Sequence, residues 1–401
     1  MKATFRTFES GAGDCIFLVL KDEKDGSSHN LMVDCNVLTP EIKLFILEEL
    51  NLKIDTLIVT HIDADHAKGV TKLMQTTEFK DLQIGRILFN GFQPQTDNPK
   101  KLNIETKGKL DDIAGLLPPV VDEFYHKCNG MHAACLIAEM NKHLQWKEVW
   151  QKEPILEGEL IVLGNDTKWG CLRFLSPTQA AMNALLREVK LEYARRLGVA
   201  PPDSDFEDQD KYFELMLRLA ELRKRPATTK KIGAVAITKD LMERYAKIDA
   251  DESNVTAANN ASLAFCWEVA DPPKRILFMG DAVSSQLLSQ LNKISVEEMW
   301  FEAIKVSHHG SKNNTSISLS AKVDSKHYFI TGGKNGEGPH IETIAKIAMK
   351  PLQEDKDHRE LHYNHTYGIS LWKELEKETV KSQLDECHLK MVIDNTYEFE
   401  Y

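Results

Sequence analysis

The chain has 401 residues, of which 42% are hydrophobic and 28% charged, and its formal net charge is -11. That length can bury one large core or two smaller ones, and the polarity excludes a membrane protein. The acidic balance excludes broad wrapping of a polyanion, which needs clustered Lys and Arg, so any nucleic-acid contact must be local.

Met1 to Gly13 lacks the unbroken apolar stretch of a secretory signal, and the apolar run Cys15 to Leu20 is too short to span a bilayer. A cytoplasmic location without membrane attachment is therefore expected. Seven cysteines (Cys15, Cys35, Cys128, Cys135, Cys171, Cys266 and Cys387) form no C-x-x-C pair. This pattern points to reduced, buried thiols rather than to a disulfide framework or a zinc ribbon.

In chain order, β-rich runs are predicted at Ala3 to Phe8, Cys15 to Leu20, Asn30 to Val33, Thr56 to Thr60 and Arg86 to Phe89. Helical stretches often follow them, the pattern of an α/β or layered αββα domain. From Pro94 to Lys152 the sequence is loop-like and then helical, and Glu159 to Leu163 with Cys171 to Leu175 read as a hairpin. Met182 to Leu197 and Asp210 to Arg223 read as amphipathic helices around the turn-rich Gly198 to Asp205, an inserted helical subdomain. Strands resume at Ser262 to Val269, Arg275 to Met279, Ala303 to Val306 and His327 to Thr331. A helix around Leu371 to Lys381 and an edge strand within Leu389 to Phe399 close the chain. The expected organisation is a first half-domain at 1–176, the insertion at 177–254, a second half-domain at 255–345 and a C-terminal extension at 346–401.

The densest chemistry follows the run Ile58-Val59-Thr60, where His61, Asp63, Asp65 and His66 stand within six residues at a strand's end. Carboxylates and imidazoles crowded there repel or dehydrate one another unless a cation compensates them. The alternative is a solvated acidic turn with incidental histidines.

His61-x-Asp63-x-Asp65-His66 resembles the H-x-H-x-D-H motif of metallo-β-lactamase-fold hydrolases, and its H-x-D-x-D-H form is that of the ComEC/Rec2-like branch. The likeness continues through Gly11-Ala12-Gly13-Asp14-Cys15-Ile16, Met32-Val33-Asp34, Leu175-Ser176-Pro177, Asn259-Asn260-Ala261-Ser262-Leu263, Ile276 to Asp281 and Val306-Ser307-His308-His309-Gly310-Ser311-Lys312. It spans roughly residues 3 to 177 and 255 to 345. The resemblance implies an αββα metallo-β-lactamase sandwich with a helical insertion and a short C-terminal extension. It also implies a divalent metal site of His61, Asp63, Asp65, His66, Asp281 and His308. Asp281 looks like the carboxylate bridging two metals, and Asp34 like the buried aspartate that braces the ligand loop.

Two departures matter: Asp63 replaces a second histidine, and Asn259 or Asn260 replaces the third-motif histidine. One metal position is then short of nitrogen, and the harder oxygen ligands favour Mn²⁺, with Zn²⁺ or Mg²⁺ as alternatives. Two ions about 4 Å apart suit in-line displacement at phosphorus by a hydroxide formed near neutral pH. Beside the ligand Asp65, the catalytic set is expected to include His309, Lys312 and His340, which stand where the family's substrate-side residues occur. His340 follows the glycine-rich loop Gly332 to Pro339, for which a plain flexible loop is the alternative.

The resulting expectation is a metal-dependent nuclease or phosphodiesterase acting on a nucleic acid or nucleotide diester. Two others stand beside it: an amide, lactone or thioester hydrolase on the same fold, and a sensor or scaffold subunit with a degenerate site and the insertion as its docking surface. Basic residues of the insertion (Arg187, Lys190, Arg195, Arg196, Arg218, Arg223, Lys224, Arg225, Lys230 and Lys231) offer a local polyanion surface. Their pairing with Glu188, Glu192, Glu214 and Glu221 on solvated helix faces is the alternative.

Overall fold

A computed structural model describes residues 1–91, 107–109, 111, 132–165, 167–197, 237–333, 338–353, 356–364 and 370–401. The expected helix Asp210 to Arg223, the turn Gly198 to Asp205 and the basic residues Arg218 to Lys231 lie outside the described residues. So do most of Pro94 to Met131 and the centre of the Gly332 to Pro339 loop.

Sixteen strands are described: β1 (Lys2–Thr7), β2 (Ile16–Lys21), β3 (Ser28–Val33), β4 (Lys53–Ile54), β5 (Thr56–Val59), β6 (Gln83–Ile84), β7 (Ile87–Phe89), β8 (Leu160–Val162), β9 (Cys171–Ser176), β10 (Ala264–Ala270), β11 (Pro273–Phe278), β12 (Met299–Lys305), β13 (Val323–Ile330), β14 (Arg359–Tyr363), β15 (Leu389–Val392) and β16 (Thr396–Glu400). They form a six-stranded sheet ordered β16-β1-β2-β3-β5-β7 and an eight-stranded sheet ordered β15-β14-β13-β12-β11-β10-β9-β8, with β4 and β6 as a small separate pair.

Strand alternation assigns each side chain to a layer. In β1, Ala3 and Phe5 are buried while Lys2, Thr4 and Arg6 remain partly exposed. Phe5 crosses to the other sheet, its ring 4.5 Å from Phe329 and 5.5 Å from Phe278. Ile16, Leu18, Ile58, Phe265, Trp267 and Ile276 fill the same space between the sheets. On the outer face of the first sheet, Phe17, Met32, Leu57 and Val59 pack against Val70 and Leu73 of the helix Ala64–Gln75. On the outer face of the second, Leu277, Phe301, Ile304 and Leu361 meet Leu287 of helix Ser284–Ile294 and Ile344 of helix Ile341–Ala348. Helices therefore cover both sheets, the four-layer αββα arrangement of the metallo-β-lactamase sandwich.

Residues after 345 are part of both sheets rather than an appendage. β14 and β15 add parallel strands to the eight-stranded sheet, and β16 pairs antiparallel with β1. The alternating stretch Leu389 to Phe399 is thus two edge strands in different sheets, broken at Ile393-Asp394-Asn395. Alternation marks exposed-face periodicity but not a change of sheet. Among the described residues no helix is long and apolar enough to cross a membrane.

Candidate metal centre

β3, β5, β11, β12 and β13 all deliver residues to one edge of the sandwich, as strand ends do in layered α/β folds. After β5 the chain turns through Thr60 and His61 into the helix Ala64–Gln75, with Asp63 in the N-cap position and His66 in the first turn. Gly13 lies so close that a Cβ there would overlap the Asp65 carbonyl oxygen, which explains a glycine beside Asp14. After β11, Gly280 takes φ 49° and delivers Asp281. After β12, His308 and His309 both adopt left-handed backbone, φ 47° and 51°. Each such non-glycine residue costs roughly 1–2 kcal/mol, and in tandem they turn adjacent imidazoles in different directions.

Asp281 is the hub. Its Oδ2 lies 3.7 Å from His61 Nε2, 3.5 Å from His66 Nε2 and 3.6 Å from His308 Nε2. Asp63 Oδ2 is 3.7 Å from His61 Nε2, and Asp65 is 4.0 Å from His66 Nε2 and 3.6 Å from His309 Nε2. His61, His66 and Asp281 form one group able to hold an ion, and Asp65, His66 and His309 a second.

Every ring is held by its other nitrogen, as second-shell bracing of metal ligands requires. His66 Nδ1 meets Asp34 Oδ2 at 2.8 Å, and Asp34 also accepts from the Thr60 N–H and hydroxyl. His61 Nδ1 is 3.1 Å from Thr60 Oγ1. His308 Nδ1 donates to Asn314 Oδ1 at 2.9 Å, and Asn314 Nδ2 donates to the Asp281 carbonyl. His309 Nδ1 donates to the Thr331 carbonyl at 2.8 Å and lies 3.2 Å from Asp14. Asp14 itself pairs at 2.8 Å with Lys305, both fully buried, and accepts from the Thr331 hydroxyl.

The fit to a divalent ion is testable on the atoms left over. His61 Nε2, His66 Nε2, His309 Nε2 and Asp281 Oδ1 are buried and have no hydrogen-bond partner. Orphaned polar atoms are costly in a dry interior, and here they converge on one place. The donor set of imidazoles and carboxylates suits Mn²⁺ or Zn²⁺.

Electrostatics agree. Burial drives the His61 imidazole down to about 3, and burial with the neighbouring Asp65 charge pushes Asp63 up to about 7. For His66 and His309 burial acts downward, but Asp281 and Asp34 hold the first well above the usual histidine range, and Asp14 and Asp65 raise the second to about 10. For Asp65 and Asp281 burial acts upward, and the surrounding imidazoles outweigh it and hold both carboxylates low. Without a cation, protonated His66 and His309 offset the crowded carboxylates, and a bound cation would take over that compensation.

The six expected ligands, His61, Asp63, Asp65, His66, Asp281 and His308, therefore lie together. His309, expected on the substrate side, is 3% exposed and joins the Asp65 end of the cluster. Lys312 pairs instead with Glu342 at 3.1 Å. His340 precedes the helix Ile341–Ala348, donates its backbone N–H to the Gly310 carbonyl, and leaves Nδ1 unpartnered. Of the two asparagines, Asn259 lies 3.1 Å from His308 Nε2, whereas Asn260 accepts from Gln286. Asn259 thus stands beside His308 where the family's third-motif histidine is expected, and it brings no imidazole to the cluster. Sequence reasoning missed the roles of Asp14, Lys305, Thr331 and Asn314; the single carboxylate in Gly-Ala-Gly-Asp was the available signal.

Residues 11–123 match the family model of the metallo-beta-lactamase superfamily, whose members are mostly metal-dependent hydrolases. The match includes Asp14, Asp34 and the His61 to His66 loop, while Asp281, His308 and His309 lie beyond it. No curated protein matches the chain. In its αββα layers and in the segment that supplies the ligand loop, the chain is similar to that superfamily.

Proposed function

We propose that the chain is a two-metal phosphodiesterase or nuclease, with Mn²⁺ as the favoured ion and Zn²⁺ or Mg²⁺ as alternatives. The observation supporting this most directly is the position of Asp281, with one carboxylate oxygen within 3.7 Å of three imidazole nitrogens. His61, Asp63 and His308 would hold one ion, and Asp65, His66 and His309 the other, with Asp281 shared. Bound there, divalent ions would supply Lewis acidity and an activated water for displacement at phosphorus.

The protein's own part is orientation and charge. Asp34, Thr60, Asn314, Thr331 and Asp14 fix the rings. Asp63 and Asp65, each about 30% exposed, mark the open side where a diester would approach. His340 is assigned to proton transfer at the departing oxygen, and Lys312, released from Glu342, to the substrate's negative charge. Each end has its own carboxylate besides Asp281, a more oxygen-rich set than a three-imidazole zinc site, which favours Mn²⁺. The H-x-D-x-D-H form and Ser307-His308-His309-Gly310-Ser311, which resemble the ComEC/Rec2-like branch, support nucleic acid as substrate.

The test is cleavage of single- and double-stranded DNA, RNA, a cyclic dinucleotide and bis-nitrophenyl phosphate by the Mn²⁺-loaded chain, with a chromogenic lactam and lactone alongside. Diester cleavage that disappears in Asp281→Asn is expected. Lactam or lactone turnover alone would replace this reading with acyl hydrolysis, and metal binding without turnover would replace it with a sensor or scaffold role.

A further inference from the structure

Four residues back along β13 from Thr331, about 13 Å at strand rise, a second group of ligand-type side chains lies on the face between the sheets. His327 on β13 pairs in register with Glu360 on β14, and Phe329 pairs with His362. His327, Glu360 and His362 therefore share one face. His327 Nδ1 is 3.1 Å from His362 Nε2 and 3.1 Å from Glu360 Oε2, and the third edge of the triangle, His362 Nε2 to Glu360 Oε2, is 3.4 Å. A tetrahedral zinc ion with bonds near 2.0–2.1 Å has ligand-to-ligand edges of about 3.3 Å.

Without a cation, a single proton on His327 Nδ1, shared between His362 Nε2 and Glu360 Oε2, joins this triangle. His362 Nδ1 lies 2.7 Å from the Asp394 carbonyl, to which it donates, so the Nε2 of its neutral ring is a lone pair aimed at the group. Glu360 Oε2 is a second lone-pair atom 3.4 Å away, and at most one proton, on His327 Nδ1, stands between them. A cation that displaces this one proton would meet three ligand atoms already at tetrahedral spacing. Both rings are already held: Tyr397 stacks on His327 at 3.9 Å and Phe329 on His362 at 4.3 Å. His358 Nε2 holds the other Glu360 oxygen at 3.1 Å, the outer-shell bond that orients a ligating carboxylate. His362 is 4% exposed, His327 11% and Glu360 21%, leaving one side for a water as fourth ligand.

We propose that His327, Glu360 and His362 form a separate transition-metal site, with Zn²⁺ as its ion. Two imidazoles and one carboxylate with an open fourth position is a zinc donor set. The site ties the eight-stranded sheet to the C-terminal segment, because Asp394 and Tyr397, which hold the two rings, lead into and form part of β16. Its role is that of a clamp joining the second sheet to the strand that closes the first, and it does not rest on the activity proposed above.

The test uses the full chain and counts zinc after dialysis against a low-zinc buffer, together with the ligand-field absorption of a Co²⁺-loaded sample. In Glu360→Gln, which preserves shape, and in His362→Ala, zinc content falls by one ion per chain and affinity at this site weakens at least tenfold. Zinc also raises the melting temperature of Asp281→Asn, and raises it less when Glu360→Gln is added. Equal zinc content in wild type, Glu360→Gln and His362→Ala would overturn the proposal. If His362→Ala does not fold, the Glu360→Gln comparison decides the matter alone.

Discussion

His308 and His309 are consecutive residues whose rings face opposite ends of one cluster: His308 Nε2 lies 3.6 Å from Asp281 and His309 Nε2 3.6 Å from Asp65. The left-handed backbone at both positions produces this divergence, since an extended pair could not direct both rings inward from one strand end. One dipeptide thus supplies an imidazole to each proposed ion.

His308→Ala and His309→Ala should therefore remove different ions. Each is expected to weaken one Mn²⁺ at least about 100-fold while the other stays bound, since even outer-shell changes cost 10–100-fold. Stepwise metal titration followed calorimetrically separates the two steps. Simultaneous loss of both ions in both variants would show that the rings do not serve separate ends.

Asp14 links the centre to the fold, because one carboxylate meets both His309 and the buried Lys305 ammonium. Asp14→Asn leaves Lys305 charged without a charged partner, so unfolding in urea should show a loss of about 3–5 kcal/mol. Asp34→Asn alters the bonds to His66 and Thr60 without stranding a buried lysine charge, and should chiefly cost metal affinity, by about 10–100-fold. A larger stability loss in Asp34→Asn than in Asp14→Asn would reverse this division of roles.

Much of this site was legible in the sequence because ligands recur where apolar runs stop. Val59, Phe278 and Lys305 end strands, and His61, Asp281 and His308 follow within a few residues. The assignment of His309 was not legible: a residue after a ligand points away from it in any ordinary extended backbone, and spacing does not reveal two successive positive φ values. Nor was the buried Asp14 to Lys305 contact, which joins residues nearly three hundred positions apart through sheet packing. Strand patterning indicated an α/β or layered domain and the motif resemblance implied the sandwich, whereas β15 and β16 belong to different sheets for a reason alternation cannot encode, namely which edge each one reaches.

Stability should also respond to pH through Asp324, which is fully buried and bonded through both oxygens to Arg359, at 2.8 and 2.7 Å. Burial acts to raise this carboxylate, but Arg359 and Lys350 outweigh it and hold it below the usual range. A depressed folded-state pKa means that the contribution is complete above the unfolded value of about 3.9 and is lost as pH falls through the folded value. Asp324→Asn should therefore be less stable than wild type by a constant margin from pH 7 to about pH 5, and the margin should shrink below about pH 4. Chemical denaturation at a series of pH values measures it, and a margin unchanged down to pH 3 would assign the stabilisation to shape rather than charge.

The proposed site has two ions sharing Asp281. Electron paramagnetic resonance of the Mn²⁺-loaded chain tests it most directly, because two Mn²⁺ bridged by one carboxylate couple magnetically. The closely spaced hyperfine pattern of a coupled pair is expected in the wild type, and its loss in Asp281→Asn. A wild-type spectrum containing only the six-line signal of isolated Mn²⁺ would contradict it.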